Sequence, residues 1–487
     1  MSNSSGKYPA FPEISPDEIE SVLMPEVSQW GLTNGLAMYP PNFNISQGQL
    51  APTTLYPTPF PRQSFEQAIS VQTLYNELYA KISQDQDGWL SKRIGELAEF
   101  DPEFTGKLWN LYLDAKKRGI SQPLALGLFR SDYLLDAETY LAKQVEFNTV
   151  SVSFGGLSTK VGQLHRFLNE TGKYSLDTGA PFYQQEIPVS DSTALLSNGI
   201  AEAVKKFKTA ETHTLVAFLV QKGERNVFDQ RALEYELFQK HKIKSVRLTI
   251  HEIGIKTTID AATKRLYYKA TGEEISLVYF RAGYSPQDFT CAQDWENRLV
   301  LETSYAIKAP NLLTQLAGVK KIQQILTEDA ILKQFIPNDN DREKLATSFV
   351  KLYPLDDSEL GKQAKKMALA SPGRFVLKPQ REGGGNNIYK SEIPVFLKSI
   401  DERDWSGYIL MELIKPEPTT QNIVIRGNEN LREPILSELG IFGWVLFDDK
   451  QLYFNEYAGW LLRSKSSTSD EGGVAAGFGC VDSVVLY

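Results

Sequence analysis

The segment richest in chemical potential is Lys378-Pro379-Gln380-Arg381-Glu382-Gly383-Gly384-Gly385-Asn386-Asn387-Ile388-Tyr389. Three successive glycines let a backbone come close to a ligand and turn its N–H groups toward it. Concave runs of such groups hold phosphate oxygens. Lys378, at the end of an apolar run, can neutralise phosphate charge. Glu382 can hold a magnesium ion bridging phosphates, because that ion takes hard oxygen ligands and often one or two carboxylates. The same letters also describe a hairpin turn with solvated charges. The flanking Lys, Glu and Asn favour a nucleotide loop.

Glu146 and Asn148 stand at i and i+2, which in a strand puts both on one face. They suit a magnesium ion, or simply the polar side of an amphipathic strand. Ser153 follows on the other parity, near Gly155-Gly156, where the strand is expected to end. Arg130 follows an apolar run. It can stabilise charge developing on a phosphoryl or acyl oxygen, or form a surface ion pair with Asp132. Arg463 and Lys465 precede Gly472-Gly473-Val474-Ala475-Ala476-Gly477. They can grip a carboxylate or phosphate beneath a closing loop; the alternative is a basic edge strand with a flexible tail.

Elements must hold these residues in place. Ser64 and Gln67 form a capping-box pattern ahead of an apolar stripe from Phe65 to Ile82. Asp101-Pro102 offers an N-cap and a first-turn proline, with Gly119 as the stop. The proline-rich stretch from Tyr39 to Arg62 reads as an extended crossing, packed down by Tyr56 and Phe60. Over residues 213–325 strand runs (Thr214–Gln221, Ser245–Ile250, Leu277–Phe280) alternate with helical periodicity at Phe228–His241 and Asp294–Lys308. That alternation predicts a small parallel doubly wound unit. Ligands of such sheets bind beyond the carboxyl ends of the strands, where Glu224-Arg225-Asn226 and Arg281-Ala282-Gly283-Tyr284 stand. Further strands are expected at Arg374–Lys378, Tyr408–Ile414 and Leu436–Phe442.

Composition narrows the chemistry. A chain of 487 residues exceeds what one core supports. An aromatic fraction of 11% is too high for disorder. With 52 basic and 60 acidic residues the net charge is −8, which disfavours general nucleic-acid binding. Two cysteines, Cys291 and Cys480, build no disulfide framework and point to a reducing compartment. No HExxH, GxSxG or P-loop pattern occurs. The first twenty residues lack an apolar signal region, and no apolar run reaches membrane-spanning length, so no membrane association is expected.

The motifs together resemble eukaryotic-type glutathione synthetase, a family of ATP-grasp ligases. The matching stretches are FRSDYL (129–134), QVEFNTVSVSFGGL (144–157), ERNVFDQR (224–231), RAGY (281–284), QLAGVKKIQQ (315–324), VLKPQREGGGNN (376–387), ILMEL (409–413), SELGIFG (437–443), LLRSK (461–465) and GGVAAG (472–477). They run in order over about three quarters of the chain, and the YPP and YPTP segment near residues 39–59 extends the likeness. The resemblance implies an α/β ATP-grasp fold with N-terminal helical additions. It divides the chain into residues 1–212, an inserted parallel-sheet substrate domain at 213–325, and a C-terminal part at 326–487. It implies ATP-dependent joining of γ-glutamylcysteine and glycine, with magnesium, in a cytoplasmic homodimer.

Carried over by motif, Glu146, Asn148 and Glu382 resemble the magnesium ligands. Lys320, Lys378, the loop Glu382-Gly383-Gly384-Gly385-Asn386-Asn387 and nearby Tyr389 resemble the phosphate-binding elements. Met411, Glu412, Leu413 and Ile414 resemble the hinge that reads adenine mainly through backbone groups. Glu438 and Lys465 resemble further nucleotide contacts. Arg130, Ser153, Glu224, Asn226, Gln230, Arg281 and Tyr284 resemble the γ-glutamylcysteine site, and Arg463, Val474 and Ala475 the glycine end. Arg130, with Lys378 and Arg463, is the expected catalytic charge, Arg130 being the transition-state stabiliser. Glu471 replaces an aspartate common in the family and keeps the carboxylate one methylene further out. An acceptor such as β-alanine, or a catalytically dead nucleotide- or thiol-binding protein, are the rival readings. Val474-Ala475-Ala476 favours the glycine acceptor, and the retained Arg130, Glu146, Asn148 and Glu382 favour an active enzyme.

Overall fold

The strand signals resolve into two larger sheets in a computed structural model that describes residues 8–381, 385–416, 420–427, 429–469, 473, 474, 477 and 479–487. Numbered in chain order, their strands begin with β1 (Thr53–Thr54), β2 (Ala125–Leu135), β3 (Ala142–Asn148), β4 (Leu215–Leu219), β5 (Lys244–Leu248), β6 (Ile275–Phe280) and β7 (Ile307–Ala309). They continue with β8 (Leu352–Pro354), β9 (Phe375–Lys378), β10 (Ile388–Tyr389), β11 (Ile409–Glu412), β12 (Thr420–Arg426), β13 (Glu429–Phe447), β14 (Leu452–Ser466) and β15 (Gly479–Asp482).

The larger sheet runs β12-β1-β15-β14-β13-β2-β7-β6-β4-β5, with β3 paired to β2. β12 also pairs with β13, so that end closes on itself. β7, β6, β4 and β5 are mutually parallel, and β7 pairs with β2, so the parallel strands continue the antiparallel ones. Every residue of β4 and β6 is buried, as strands covered on both faces require. The alternation of side chains sends Phe218 and Tyr279 into one apolar layer, Leu219 and Phe280 into the other. Helices α1 (Arg62–Gln84) and α2 (Thr105–Arg118) cover the Leu219 side. Helices α3 (Gly155–Glu170), α4 (Ser192–Lys206) and α5 (Val227–His241) cover the Phe218 side.

The smaller sheet, β8-β11-β9-β10, is antiparallel. One face rests on Leu355, Ala364, Ile393, Leu397 and Trp405. The other presents Leu352, Val376 and Met411, against which Leu134 of β2 and Val145 of β3 pack. The two sheets therefore meet where the candidate residues of β2 and β3 lie.

Several elements differ from the expectation. The helix expected over Asp294–Lys308 is helix α6 (Ala292–Thr303) followed by strand β7. Ser64 and Gln67 do not cap α1, which starts after Pro61. Ser64 Oγ donates to the Tyr140 carbonyl at 2.5 Å and Gln67 Nε2 to that of Ala142 at 3.3 Å. Asp101 does accept from Thr105 N at 3.0 Å, although α2 begins only at Thr105. Tyr56 and Phe60 are buried, so the proline-rich crossing is packed. Leu436–Phe442 is the middle of the 19-residue β13. β14 lies between β13 and β15, so Arg463 and Lys465 are not on an edge.

Candidate active site

Strand register assembles the first group of residues. Arg130 on β2 stands opposite Asn148 on β3, and Asp132 opposite Glu146. On the other side of β2, Gly440 of β13 faces Asp132. Glu438 of β13 in turn faces Arg463 of β14. Neighbouring side chains on one face of a sheet meet across such pairs.

Asp132 is the hub. Arg130 grips it as a fork, Nε to Oδ1 at 2.6 Å and Nη2 to Oδ2 at 2.7 Å. Asn148 Nδ2 and Arg463 Nη2 also donate to Oδ2, at 3.0 and 3.1 Å. Burial pushes the Asp132 carboxyl up from its usual value, against the pull of Arg130 and Arg463. The expected Arg130–Asp132 ion pair thus exists but is buried, not superficial; Asp132 is fully enclosed. Arg463 also bonds Glu438, which, with burial opposing, raises its guanidinium further.

Glu146 accepts from Lys320 Nζ at 3.1 Å. Burial pushes its carboxyl up, but Lys320, Lys378, Arg130 and Arg463 outweigh burial and hold it far below the usual range. Lys378, at the end of β9, reaches across to the Val145 carbonyl at 2.7 Å. Among the described residues Arg130, Lys320, Lys378 and Arg463 outnumber Asp132, Glu146 and Glu438, an excess of positive charge suited to polyphosphate. Asn148 Nδ2 is committed to Asp132 and to the Arg130 carbonyl, so the amide oxygen is the atom available to a ligand.

A second group lies beyond the carboxyl ends of β4 and β6. Arg281 donates to the Val152 carbonyl and, at 2.7 Å, to Ser153 Oγ. Arg130 Nη1 donates to the Ser153 carbonyl at 3.3 Å, so Ser153 joins the two groups. Asp229, on α5, accepts from Phe154 N, Gly156 N and Leu157 N at 2.8, 2.7 and 3.2 Å and so caps α3. A Cβ on Gly156 would come within 2.8 Å of the Asp229 carbonyl, so this approach needs glycine. Ser151 and Phe154 hold left-handed backbone, φ 55° and 71°, the kind of local strain that gathers at ligand sites.

Glu224 accepts from Asn226 N and Gln230 Nε2, both at 2.8 Å, and Gln230 Oε1 accepts from Arg247 at 2.7 Å. Tyr284 Oη accepts from Gln221 at 3.2 Å. Gln315 donates to the Gly283 carbonyl at 2.7 Å. Among the described residues, the buried Asn226 Oδ1 and Gln315 Oε1 have no hydrogen-bond partner. Buried orphan acceptors at one end of a sheet suit a polar ligand that donates to them.

A third group is apolar. Met411 and Ile414 pack with Leu352, Val376 and Ile409, and Leu413 and Tyr389 lie against them. The Glu412 carboxylate accepts from Tyr353 Oη at 2.8 Å and Arg374 at 3.3 Å. The N–H groups of Glu412 and Leu413 go to the Lys351 and Arg374 carbonyls, so backbone reading of a base falls to the other groups of this segment. Asn387 donates to Tyr389 Oη at 3.2 Å. Gly385 and Asn386 lie just before it in the chain. Lys465 pairs with Leu436 across β13–β14, and Val474 is buried. Glu382, Gly383, Gly384, Glu471 and Ala475 lie outside the described residues.

Asp132, Asp229, Gln315 and Gly440 are the site residues that reading the sequence misses. For Asp132 a signal existed, its i+2 spacing from Arg130 on one strand.

Comparison with known proteins bears on this arrangement. A family model described as eukaryotic glutathione synthase, ATP binding domain, matches residues 17–486. The chain is 38% identical over 460 residues to the glutathione synthetase large chain of Schizosaccharomyces pombe, covering 89% of this chain and 91% of that one. It is 39% identical over 437 residues to glutathione synthetase of Homo sapiens, covering 89% of each. A glutathione synthetase-like effector from Globodera pallida, solved in its apo form, shares the fold with a TM-score of 0.74 at 23% identity, covering 98% of each chain.

Proposed function

The chain belongs to the eukaryotic glutathione synthase family and makes glutathione as an ATP-dependent ligase; we propose that it does so through an acyl phosphate of γ-glutamylcysteine. A carboxylate is a poor acyl donor because its leaving group would be oxide. Attack of that carboxylate on the γ-phosphorus of ATP expels ADP and creates a phosphate leaving group. The glycine amine then attacks the acyl carbon, loses a proton, and phosphate departs. No enzyme nucleophile is required, so positioning and charge stabilisation carry the rate.

The observation that carries this reading is the set of four cations around Asp132 and Glu146. Arg130, locked by its fork on Asp132, faces charge developing at the reacting centre. Lys320 and Lys378 hold phosphate oxygens. Arg463 binds the glycine carboxylate, with Val474 and Ala475 near it, while Lys465, Glu438 and Glu471 serve the nucleotide side. Arg281, Ser153, Glu224, Asn226, Gln230 and Tyr284 hold γ-glutamylcysteine. Met411, Glu412, Leu413 and Ile414 seat adenine in the apolar layer between the sheets. The ionised Glu146 and the amide oxygen of Asn148 are hard donors that fit magnesium, and Glu382 is its third expected ligand. Bound there, the ion would neutralise phosphate oxygens.

The two sheets meeting over β2 and β3 support an ATP-grasp reading, with residues 1–212, 213–325 and 326–487 as its three parts. The exposed Phe43, Ile45 and Tyr235 beside a groove of about 880 Å³ support a homodimer. The unpaired Cys291 and Cys480 support the cytoplasm, and among the described residues no helix is long and apolar enough to cross a membrane.

An assay of ADP release tests the reading. Release should require γ-glutamylcysteine, glycine and magnesium together, and β-alanine should substitute poorly. Release independent of γ-glutamylcysteine would overturn it.

A further inference from the structure

His251, Cys291 and Asp294 take no part in the groups described above, yet they converge. His251 follows β5, while Cys291 and Asp294 open helix α6 after β6. One imidazole nitrogen, the thiol sulfur and one carboxylate oxygen all lie within 4.8 Å of one another. Bonds from one ion of about 2.0–2.3 Å would need only a small contraction of that triangle.

The triangle is held from behind. Asp294 Oδ2 accepts from Thr290 N at 2.7 Å, Thr290 Oγ1 at 2.8 Å and Cys291 N at 3.2 Å. Oδ1 is left facing His251 Nδ1 at 3.1 Å. The side chain of Asn297, one turn along α6, donates to the Ile250 carbonyl at 2.8 Å and the His251 carbonyl at 3.3 Å, pinning the histidine turn to the helix. Asp294 is buried, whereas His251 and Cys291 are exposed, so an ion has an entry path. Hydrogen bonds that orient a ligand's second atom are what hold metal-site side chains in place.

We propose that His251, Cys291 and Asp294 form a binding site for a borderline-soft divalent cation of the zinc class, with water as the fourth ligand. One thiolate, one imidazole and one carboxylate suit tetrahedral zinc, and not magnesium, which demands six oxygens. Cys291 stands at the N-cap of α6, its backbone N–H on Asp294 Oδ2 and the other carboxylate oxygen facing His251. The bound ion ties the turn after β5 to the start of α6.

Titration of the full-length protein with cobalt(II), under a non-chelating phosphine reductant, tests this. Wild type should develop a thiolate-to-cobalt charge-transfer band saturating near one equivalent, and zinc should abolish it. Cys291→Ser, which keeps a capping oxygen, should show no band, and His251→Gln should bind roughly tenfold more weakly or worse. Both variants should retain metal-free melting temperatures near wild type. The proposal is overturned if wild type shows no band, if the band persists in Cys291→Ser and so resides on Cys480, or if His251→Gln binds like wild type.

Discussion

Gly440 stands directly opposite Asp132 in the β2–β13 ladder, and a Cβ on it would lie 2.9 Å from Asp132 Oδ1 and 3.0 Å from Arg130 Cδ. The missing side chain is what lets the Arg130 fork lie flat against the sheet. Contacts that close force something to shift, and both neighbours are held by buried charge.

The first prediction follows from that fit. Gly440→Val pushes the Arg130 guanidinium off its station, and a displacement of about 1 Å at a positioning group can cost on the order of 100-fold in rate. Steady-state assay should show kcat reduced to about that extent, with cooperative melting retained. A kcat within threefold of wild type would mean that the Arg130–Asp132 geometry is not what sets the rate.

Asp132 itself should matter to stability as well as turnover. Its charge compensates Arg130 and Arg463, which are buried or nearly so. Breaking a buried pair from one side leaves uncompensated charge and typically costs about 3–5 kcal/mol. Asp132→Asn keeps the shape, so urea unfolding should show a loss near the lower end of that range, together with a large fall in kcat. Wild-type stability with lost activity would assign Asp132 a purely catalytic role.

Arg281, proposed to hold γ-glutamylcysteine, allows a test that separates substrate from nucleotide. It holds Ser153 and the Val152 carbonyl at the carboxyl end of β6, in the group apart from Lys320 and Lys378. Arg281→Ala should raise KM for γ-glutamylcysteine at least tenfold and leave that for ATP within about twofold. Removal of a charged hydrogen-bond partner is worth roughly 1.5–3 kcal/mol. Equal weakening of both ligands would show that the Arg281–Tyr284 segment is only structural.

Much of this architecture was legible because apolar runs are strong signals. β4 and β11 fall inside the runs that announced them, and β6 extends its run by two residues, to Ile275, as buried apolar strands allow. β7 escaped because three residues, Ile307–Ala309, follow a helix with no turn signal between and so extend its periodicity. Asp132 escaped because an aspartate two residues from an arginine also describes an exposed strand pair. Only the register of β13 and β14 places Arg463 on it. Asp229 escaped because its partners, Phe154, Gly156 and Leu157, are more than seventy residues away. The residues proposed to hold the substrate sit on motifs whose members are close in sequence, such as Glu224, Asn226 and Gln230.

The last prediction concerns pH and a buried pair remote from those motifs. Asp482 accepts from Thr54, Thr58 and Ser464 hydroxyls at 2.6 Å each and from Ser483 N at 2.7 Å. Burial nonetheless pushes its carboxyl from 3.8 up to about 6. His165 donates from Nε2 to the Thr54 carbonyl at 2.8 Å and so accepts the Ser483 hydroxyl at Nδ1, 2.7 Å, as a neutral ring. Burial pulls it from 6.5 down to about 4. For Asp482 the folded state binds the proton more tightly, so its contribution is complete below pH 3.8 and lost as pH rises through about 6. For His165 the unfolded state binds the proton more tightly, so its contribution is present above pH 6.5 and lost as pH falls through about 4. Each is on the order of 3 kcal/mol at full extent, with opposite sign, so in wild type they largely cancel. Asp482→Asn removes one side of the balance. Urea unfolding from pH 6.5 down to 4.5 should show the variant losing stability against wild type by roughly 2 kcal/mol more at the acid end. His165→Gln should show the reverse trend, gaining on wild type as the solution is acidified. A wild-type-to-variant gap that stays constant across this range for both substitutions would show that neither group changes its protonation on folding.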